Sequence, residues 1–269
     1  MKSYLSLVPI SAKVRKRQNR MTILCVIISI FLVTAIFSVA DMMIRTQSDR
    51  MTGKNGSWHI EVDGISQETA LKIAERDDVV SIGAVTIFNP DGELPYRMDG
   101  KRVVLYGIDE SYLTMNSTGA AEGRFPQGMG EIMLSSNAAR VLQVAVGDTV
   151  TLRTPSGDWD FTVSGLGGVE ESYYSGQYSL MDAYLPRTAF AALMEQNNVH
   201  NLQTSYYVQF TSASKAAKAI PELTAQHNLP ENAVSENTGV MAIAGHSDSS
   251  AAKNVYSLAA VLFVLVLLA

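Results

Sequence analysis

One uncharged run of twenty residues, residues 21–40 (MTILCVIISIFLVTAIFSVA), restricts this chain more than any other feature. An α-helix rises about 1.5 Å per residue, so the run would be about 30 Å long, which is the thickness of the hydrocarbon part of a bilayer. The run therefore predicts a transmembrane helix over residues 21–40.

The charges on either side of this run predict its direction. Six lysines and arginines and no acid precede it, and the first charge after it is Asp41. Basic segments stay on the cytoplasmic side, so residues 1–20 are predicted to be cytoplasmic and the chain from Asp41 onward extracytoplasmic. A cleaved signal peptide also has a basic head and an apolar run. The length of both parts favours a retained anchor, while the basic segment itself fits either an amphipathic helix on the membrane surface or an unstructured tail.

A second apolar run closes the sequence. Residues 255–269 (VYSLAAVLFVLVLLA) are fifteen uncharged residues with no lysine or arginine after them. This length is short for a complete span, and the basic stop signal is missing. We expect the start of a second transmembrane helix in a truncated chain. A buried C-terminal helix of a soluble domain is the alternative, although the run is apolar on all sides.

The segment between the two runs, residues 41–254, is predicted to be an acidic extracytoplasmic domain. Fifteen of the 21 lysines and arginines and all 26 acids lie beyond residue 40, so this part carries about eleven net negative charges. A nucleic-acid partner would require a basic surface, so we expect none. The only cysteine, Cys25, lies in the first apolar run, so the domain must be stabilised by its core without disulfides.

Periodicity predicts an α+β fold with ferredoxin-like βαβ units. An alternating strand at 58–62, a helix capped by Ser66 and a strand at 79–88 open the domain, and a similar order returns with a strand at 205–211 and a helix from Ser214. Two such units predict one sheet with both helices on the same face. Between them, short alternating strands such as 149–153 and 159–164 predict a β-rich insertion. We expect residues 57–100 and 178–236 to form the βαβ subdomain and residues 101–177 the insertion.

No stretch carries a convincing catalytic, cofactor or metal motif, so we assign no site residue of these kinds and no cofactor. His246, Ser247 and Asp248 have the residue types of a hydrolase triad, but neighbours in sequence point in different directions. The four histidines share no ligand spacing, and no phosphate-binding loop is present, so any ATP must be bound by another chain. An acidic, tyrosine-rich loop at 165–177 fits either a partner contact or a solvated surface.

Four short motifs follow one another in the middle of the chain. They are LYGID at 105–109, EGRFP at 122–126, GEIMLS at 130–135 and VGDTV at 146–150. Together with the basic N-terminus, the apolar runs and the domain between them, this succession resembles the opening portion of MacB/FtsX-like ABC transporter permeases. Glycines 107, 123, 130 and 147 are predicted to mark turns between strands, and Asp148 to bond within its own turn.

The resemblance implies a permease subunit that is not itself an enzyme. It would form a homodimer or heterodimer in the cytoplasmic membrane and work with a separate cytoplasmic ATPase, whose action moves a two-part α+β outer domain through the spans. The family's substrates imply export or extraction of a peptide, a lipid-linked molecule or a drug-like molecule. Its later spans and its ATPase-binding loop are missing from this sequence. A membrane-anchored extracytoplasmic sensor or assembly protein without transport activity is the alternative.

Overall fold

The computed structural model describes residues 16–116, 119–167, 180–230, 232–243, 257, 260 and 261. Four predictions therefore fall wholly or largely outside the described residues: the surface helix before residue 16, the loop of Glu170, Glu171, Tyr173, Tyr174 and Tyr178, the triad residues His246 to Asp248, and the second span at 255–269.

The predicted anchor is one long helix, α1 (Lys16–Asn55). Among the described helices it alone is long and apolar enough to cross a membrane. No part of its most apolar stretch is buried against the rest of the protein. Large apolar side chains such as Ile23, Ile30 and Phe31 are exposed along it. The helix continues for fifteen residues beyond residue 40, which corresponds to about 22 Å.

Within the described residues, the outer domain contains eleven strands and six further helices. The strands are β1 (Ile60–Asp63), β2 (Val79–Phe88), β3 (Arg97–Met98), β4 (Lys101–Ile108), β5 (Ala120–Gly123), β6 (Glu131–Leu134), β7 (Thr149–Thr154), β8 (Gly157–Gly167), β9 (Leu180–Pro186), β10 (Thr204–Phe210) and β11 (Val234–Glu236). The helices are α2 (Gln67–Ala74), α3 (Glu110–Met115), α4 (Ser136–Leu142), α5 (Arg187–Gln196), α6 (Ala213–His227) and α7 (Thr238–Ile243).

The first and last parts of the domain form a ferredoxin-like unit, which confirms the predicted fold class. Its strands lie in the order β11-β1-β10-β2, and each neighbouring pair is antiparallel. Ile60 and Val62 on β1 are fully buried against Ile73 on α2 and Leu223 on α6. Both helices therefore cover the same face of this sheet.

Local capping explains where the two helices of this unit begin. The Ser66 side chain accepts a hydrogen bond from the Thr69 N–H and caps α2, as predicted. The second helix was predicted from Ser214 and begins one residue earlier, at Ala213, because Ser212 has the extended backbone of a cap and its hydroxyl accepts from the Lys215 N–H. Pro221 lies inside α6, and the helix nevertheless continues to His227.

The insertion is a closed barrel. Strand β4 pairs with β2 of the ferredoxin-like unit, and the sheet then continues through β3, β7, β8, β6 and β9. Strand β9 pairs in parallel with β4 over seven residues, so the circuit returns to its first strand. The barrel interior contains the buried side chains of Leu105, Ile132, Phe161 and Val163. The two lobes therefore share β4.

Strand β9 and helix α5 belong to the barrel core by their packing. Leu185 on β9 and Phe190 and Leu193 on α5 lie in the same buried cluster as Leu105. The subdomain ranges predicted from the sequence place these elements in the βαβ subdomain of residues 57–100 and 178–236, and those ranges stay a prediction. The packing favours a boundary close to Thr204, where β10 begins.

The motif residues support the barrel scaffold. Arg124 and Glu131 form a two-pronged ion pair, and a Glu131 oxygen also accepts the Gln127 and Gly128 N–H groups, so the loop between β5 and β6 is closed on itself. Asp148 accepts from the Ala145 N–H within its turn, as predicted. Gly107, however, lies inside β4 and not in a turn; a β-carbon there would meet the Phe190 ring.

Candidate functional site at the base of the anchor helix

The end of α1 is fixed to the domain by a sharp turn. Gly56 has a left-handed backbone (φ +82°), and its N–H donates to the Thr52 carbonyl at 2.9 Å, which closes the last turn of the helix. The next residue, Ser57, donates from its N–H to the Met115 carbonyl at the end of α3. A side chain at Gly56 would collide with that same carbonyl, so the chain passes very close to α3 here.

A single buried amide, Asn237, holds this turn. Its side chain is 3% exposed, and its Nδ2 donates to the Trp58 carbonyl at 2.9 Å and the Asn55 carbonyl at 3.2 Å, with the Gly56 carbonyl at 3.5 Å. Its backbone N–H also donates to the His59 carbonyl at 2.9 Å. The carbonyls at the end of a helix have no partner within the helix, so an outside donor is needed to satisfy them.

Asn237 also begins α7. Its side-chain oxygen accepts from the Val240 N–H at 3.4 Å, and its carbonyl accepts from the Met241 N–H at 2.9 Å. Helix α7 then packs on α1, so closely that a β-carbon at Gly239 would collide with the Asn55 side chain. Met241 is fully buried in the core of the ferredoxin-like unit. We call this assembly, residues 51–59 with 237–241, the anchor junction.

An aromatic cluster flanks the anchor junction on the sheet. The rings of Trp58 and Tyr207 meet edge to face at 4.9 Å, and Tyr112 of α3 meets Tyr207 at 5.0 Å. The Tyr207 hydroxyl donates to Glu61 at 2.8 Å, and burial, together with the nearby acidic and phenolic groups, raises the pKa of Tyr207. The hydroxyl therefore stays a proton donor at physiological pH, and the cluster packs as a rigid unit against β1 and β10.

His59 is the buried histidine of the anchor junction. Its Nδ1 accepts from the Phe210 N–H at 3.2 Å, so that nitrogen carries no proton. Burial lowers the pKa of His59 because the charged imidazolium would lose its hydration. The ring therefore acts as a neutral structural acceptor between β1 and β10.

The residues weighed in the sequence lie apart from one another where the structure describes them. His59 is in the anchor junction, His200 follows α5, and His227 ends α6. In the described part of the chain, no three His, Cys, Asp or Glu side chains form a group that could hold a metal ion. Sequence reasoning missed Asn237, although an asparagine before a short apolar stretch is a recognised helix-start signal.

Comparisons with solved structures found two transporter domains that are similar to this chain, and the first of them supports the fold. The periplasmic region of MacB from Actinobacillus actinomycetemcomitans superimposes with a TM-score of 0.50 and 15% identity, covering 71% of this chain and 93% of that one. The extracellular domain of the noncanonic ABC-type transporter YknZ from Gram-positive bacteria gives a TM-score of 0.46 and 15% identity, covering 66% and 98%. No curated protein matches the chain.

A long apolar helix, a ferredoxin-like unit and a barrel together make up this chain, and the fold of the domain is similar to that of the periplasmic region of MacB. The chain belongs to the MacB-like periplasmic core domain family, which it matches over residues 21–226. This confirms the resemblance to MacB/FtsX-like permeases drawn from the four motifs. The matched range includes most of α1, the barrel, and the ferredoxin-like unit apart from β11 and α7.

Proposed function

We propose that this chain is the permease subunit of an ABC transporter, in which a separate cytoplasmic ATPase drives movement of the outer domain. Membership of the MacB-like family supports this role. The family also supports a dimer of permease subunits and a substrate of the peptide, lipid-linked or drug-like class. In this arrangement the six basic residues before residue 21 lie in the cytoplasm, and the acidic domain lies outside.

The observation that carries the proposal is the continuity of α1 into the anchor junction. One uninterrupted helix of 40 residues runs from the basic segment to Asn55 and ends in hydrogen bonds to α3 and Asn237. A helix without a break transmits displacement along its length, whereas a glycine-rich linker would absorb it. Movement of the span on the cytoplasmic side would therefore reach β1, α3 and α7 together.

The two ends of the outer domain meet at this point. Residues 55–59 leave α1, and residues 236–241 lead back toward the C-terminus, so both chain segments are fastened to the same corner of the ferredoxin-like sheet. Two spans that enter one corner act on the domain as a pair. The anchor junction is then the part of the domain that must stay rigid for ATP-driven movement to reach the barrel.

Affinity purification of the tagged full-length protein from its own host tests the proposal. We expect a nucleotide-binding ATPase to co-purify, and its ATPase rate to change when the wild-type permease is replaced by Asn237→Ala. Isolation without any ATPase, in mild detergent and with nucleotide present, would contradict the permease role and favour an anchored sensor or assembly protein.

A further inference from the structure

A cleft lies between the two lobes, on the side where α5 meets the ferredoxin-like sheet. Its volume is about 740 Å³, within the range of small-molecule sites. The residues that line it include Asp109, Arg187, Phe190, Ala191, Met194 and Leu202. We call it the inter-lobe cleft.

Arg187 is an arginine without hydrogen-bond acceptors in the described structure. Its side chain is 30% exposed, and its nearest anionic atom is the Asp109 Oδ2, at 3.7 Å from Nη1, which is beyond hydrogen-bond distance. Its other contact is with the Tyr206 ring, at 5.9 Å from the ring centre. A guanidinium has five N–H donors, and these donors face a cleft instead of a protein acceptor.

Two other partly buried arginines of the domain, Arg76 and Arg97, donate hydrogen bonds to acceptors of the protein. Arg76 makes a two-pronged bond to Asp78 and a further bond to Glu222. Arg97 donates to the Gly92, Leu94 and Tyr96 carbonyls. Arg187 differs from both of these arginines, because its guanidinium has no hydrogen-bond acceptor within the described residues.

Asp109 does not satisfy Arg187, because it is held elsewhere. Its Oδ2 accepts from the Ala84 N–H at 3.2 Å, which keeps the carboxylate on the β2 side of the cleft. Burial raises the pKa of Asp109, while the charge of Arg187 and the Ala84 N–H act in the opposite direction. The pair is therefore loose, and the outer side of the guanidinium is open to a second acceptor.

Beyond Arg187 the wall of the cleft contains apolar side chains among polar ones, which include Glu195 and His200. Phe190 and Met194 lie one and two turns further along α5, and Leu202 follows the helix. An oxygen-rich anion at the guanidinium would thus have an apolar surface directly beside it. Carboxylates match the guanidinium in geometry, with two parallel N–H···O bonds.

We propose that the inter-lobe cleft binds a small ligand that carries a carboxylate next to an apolar group, which is the chemistry of a C-terminal amino-acid residue. The carboxylate pairs with Arg187, and the apolar group lies on Phe190, Met194 and Leu202. This binding needs neither ATP nor a partner chain, so its failure would leave the permease proposal intact.

The test uses the full chain in nanodiscs of zwitterionic lipid, with N-acetylphenylalanine and its C-terminal amide as matched probes. Binding is measured by saturation-transfer NMR without nucleotide, and hexanoate serves as a carboxylate without peptide character. We expect the acid to bind, the amide to bind about tenfold more weakly or not at all, and Arg187→Gln to lose about tenfold in affinity for the acid. Asp109→Asn should bind the acid more tightly, since it removes the competing charge.

Two further variants separate binding from folding. Arg153→Gln removes an arginine with a similar ion-pair distance, 3.5 Å to Asp158, but with 75% side-chain exposure, and should bind as the wild type does. Ala191→Trp fills the cleft from an exposed helix position and should abolish binding while Arg187 stays in place. Equal binding of acid and amide, or undiminished binding by either Arg187→Gln or Ala191→Trp, would overturn the proposal. Hexanoate binding equal to that of the acid would support a carboxylate site of broad apolar tolerance.

Discussion

Replacing Asn237 by alanine should loosen the anchor junction and leave the barrel unchanged. The variant loses the hydrogen bonds to the Trp58 and Asn55 carbonyls and the cap of α7. At about 1 kcal/mol for each, the free energy of unfolding falls by roughly 3 kcal/mol. For a domain of this size that corresponds to a lower melting temperature by about 6–12 °C.

Hydrogen exchange at the anchor junction should change more than the melting temperature does, so it is the better assay. Hydrogen exchange of the full chain in nanodiscs, followed by mass spectrometry, reports the opening of residues 55–59 directly. A loss of roughly 3 kcal/mol accelerates exchange there on the order of 100-fold, since exchange follows the local opening equilibrium. Peptides from the barrel strands should exchange at the wild-type rate.

Two matched substitutions give the control and the refutation. Asn137→Ala makes the same change at a position where the amide only accepts from Arg140 on the surface, and should cost less than about 0.5 kcal/mol. Asn237→Asp keeps the acceptor for the Val240 N–H but removes both donors. Wild-type stability in Asn237→Asp, or equal acceleration in the barrel of Asn237→Ala, would refute the role of the donated bonds.

Three further predictions concern the histidine, the loop ion pair and the barrel wall. Folding lowers the pKa of His59, so the unfolded chain takes up a proton at a higher pH than the folded chain does, and the melting temperature should fall as the pH drops below about 6.5. His59→Asn should remove this dependence of the melting temperature on pH. An unchanged dependence in the variant would contradict the assignment to His59. The Arg124 guanidinium and two N–H groups lower the pKa of Glu131 to about 2. The ionised carboxylate therefore stabilises the fold above its unfolded pKa of about 4.3, and this stabilisation is lost as the pH falls from that value to about 2. Glu131→Gln should lose less stability than the wild type over this range in an acid titration. Gly107→Ala should destabilise by about 1–3 kcal/mol because its methyl group meets Phe190, and adding Phe190→Leu should recover part of that loss in thermal unfolding, whereas strict additivity would exclude the contact.

The parts of the fold that depend on local chemistry were predictable from the sequence. The bounds of β2 agree with the strand predicted at 79–88, and α2 begins after the predicted Ser66 cap, because alternation and capping both act within a few residues. The Asp148 turn followed from the same kind of reasoning. Hydrophobic periodicity and cap residues are recognised within a few consecutive residues, so they do not depend on which strands pair later in the fold.

The barrel closure was not predictable, because it depends on contacts that are far apart in the chain. Strand β9 pairs with β4 across more than seventy residues, and nothing in either strand specifies the other. Strand β3 has only two residues and β5 is largely exposed, so neither carries a periodic signal. Asn237 and Arg187 were missed for the same reason, since their importance depends on which carbonyls and which cleft surround them.

Helix α3 joins the inter-lobe cleft to the anchor junction. Asp109, beside Arg187, is its N-cap residue, and the Met115 carbonyl at its other end accepts from Ser57. Strand β10 makes a second connection, because Thr204 lines the cleft while the Phe210 N–H binds His59. Six residues of strand separate these points, or about 20 Å. Both connections are regular secondary-structure elements, so we expect a change at one end to reach the other.

Thermodynamic linkage turns this connection into a final prediction. If N-acetylphenylalanine in the cleft slows exchange at residues 55–59 of the wild type, then it binds the form with a closed anchor junction more tightly than the open form, because coupling between two sites is reciprocal. The affinity falls only by the fraction of molecules whose junction is open, so Asn237→Ala should bind the probe about as tightly as the wild type as long as its open form stays rare. The probe should slow exchange at residues 55–59 of this variant by the same factor as in the wild type, about fivefold or more. Arg153→Gln should change neither quantity. Bound probe without protection of residues 55–59, in the wild type and in Asn237→Ala alike, would show that α3 does not couple the two sites.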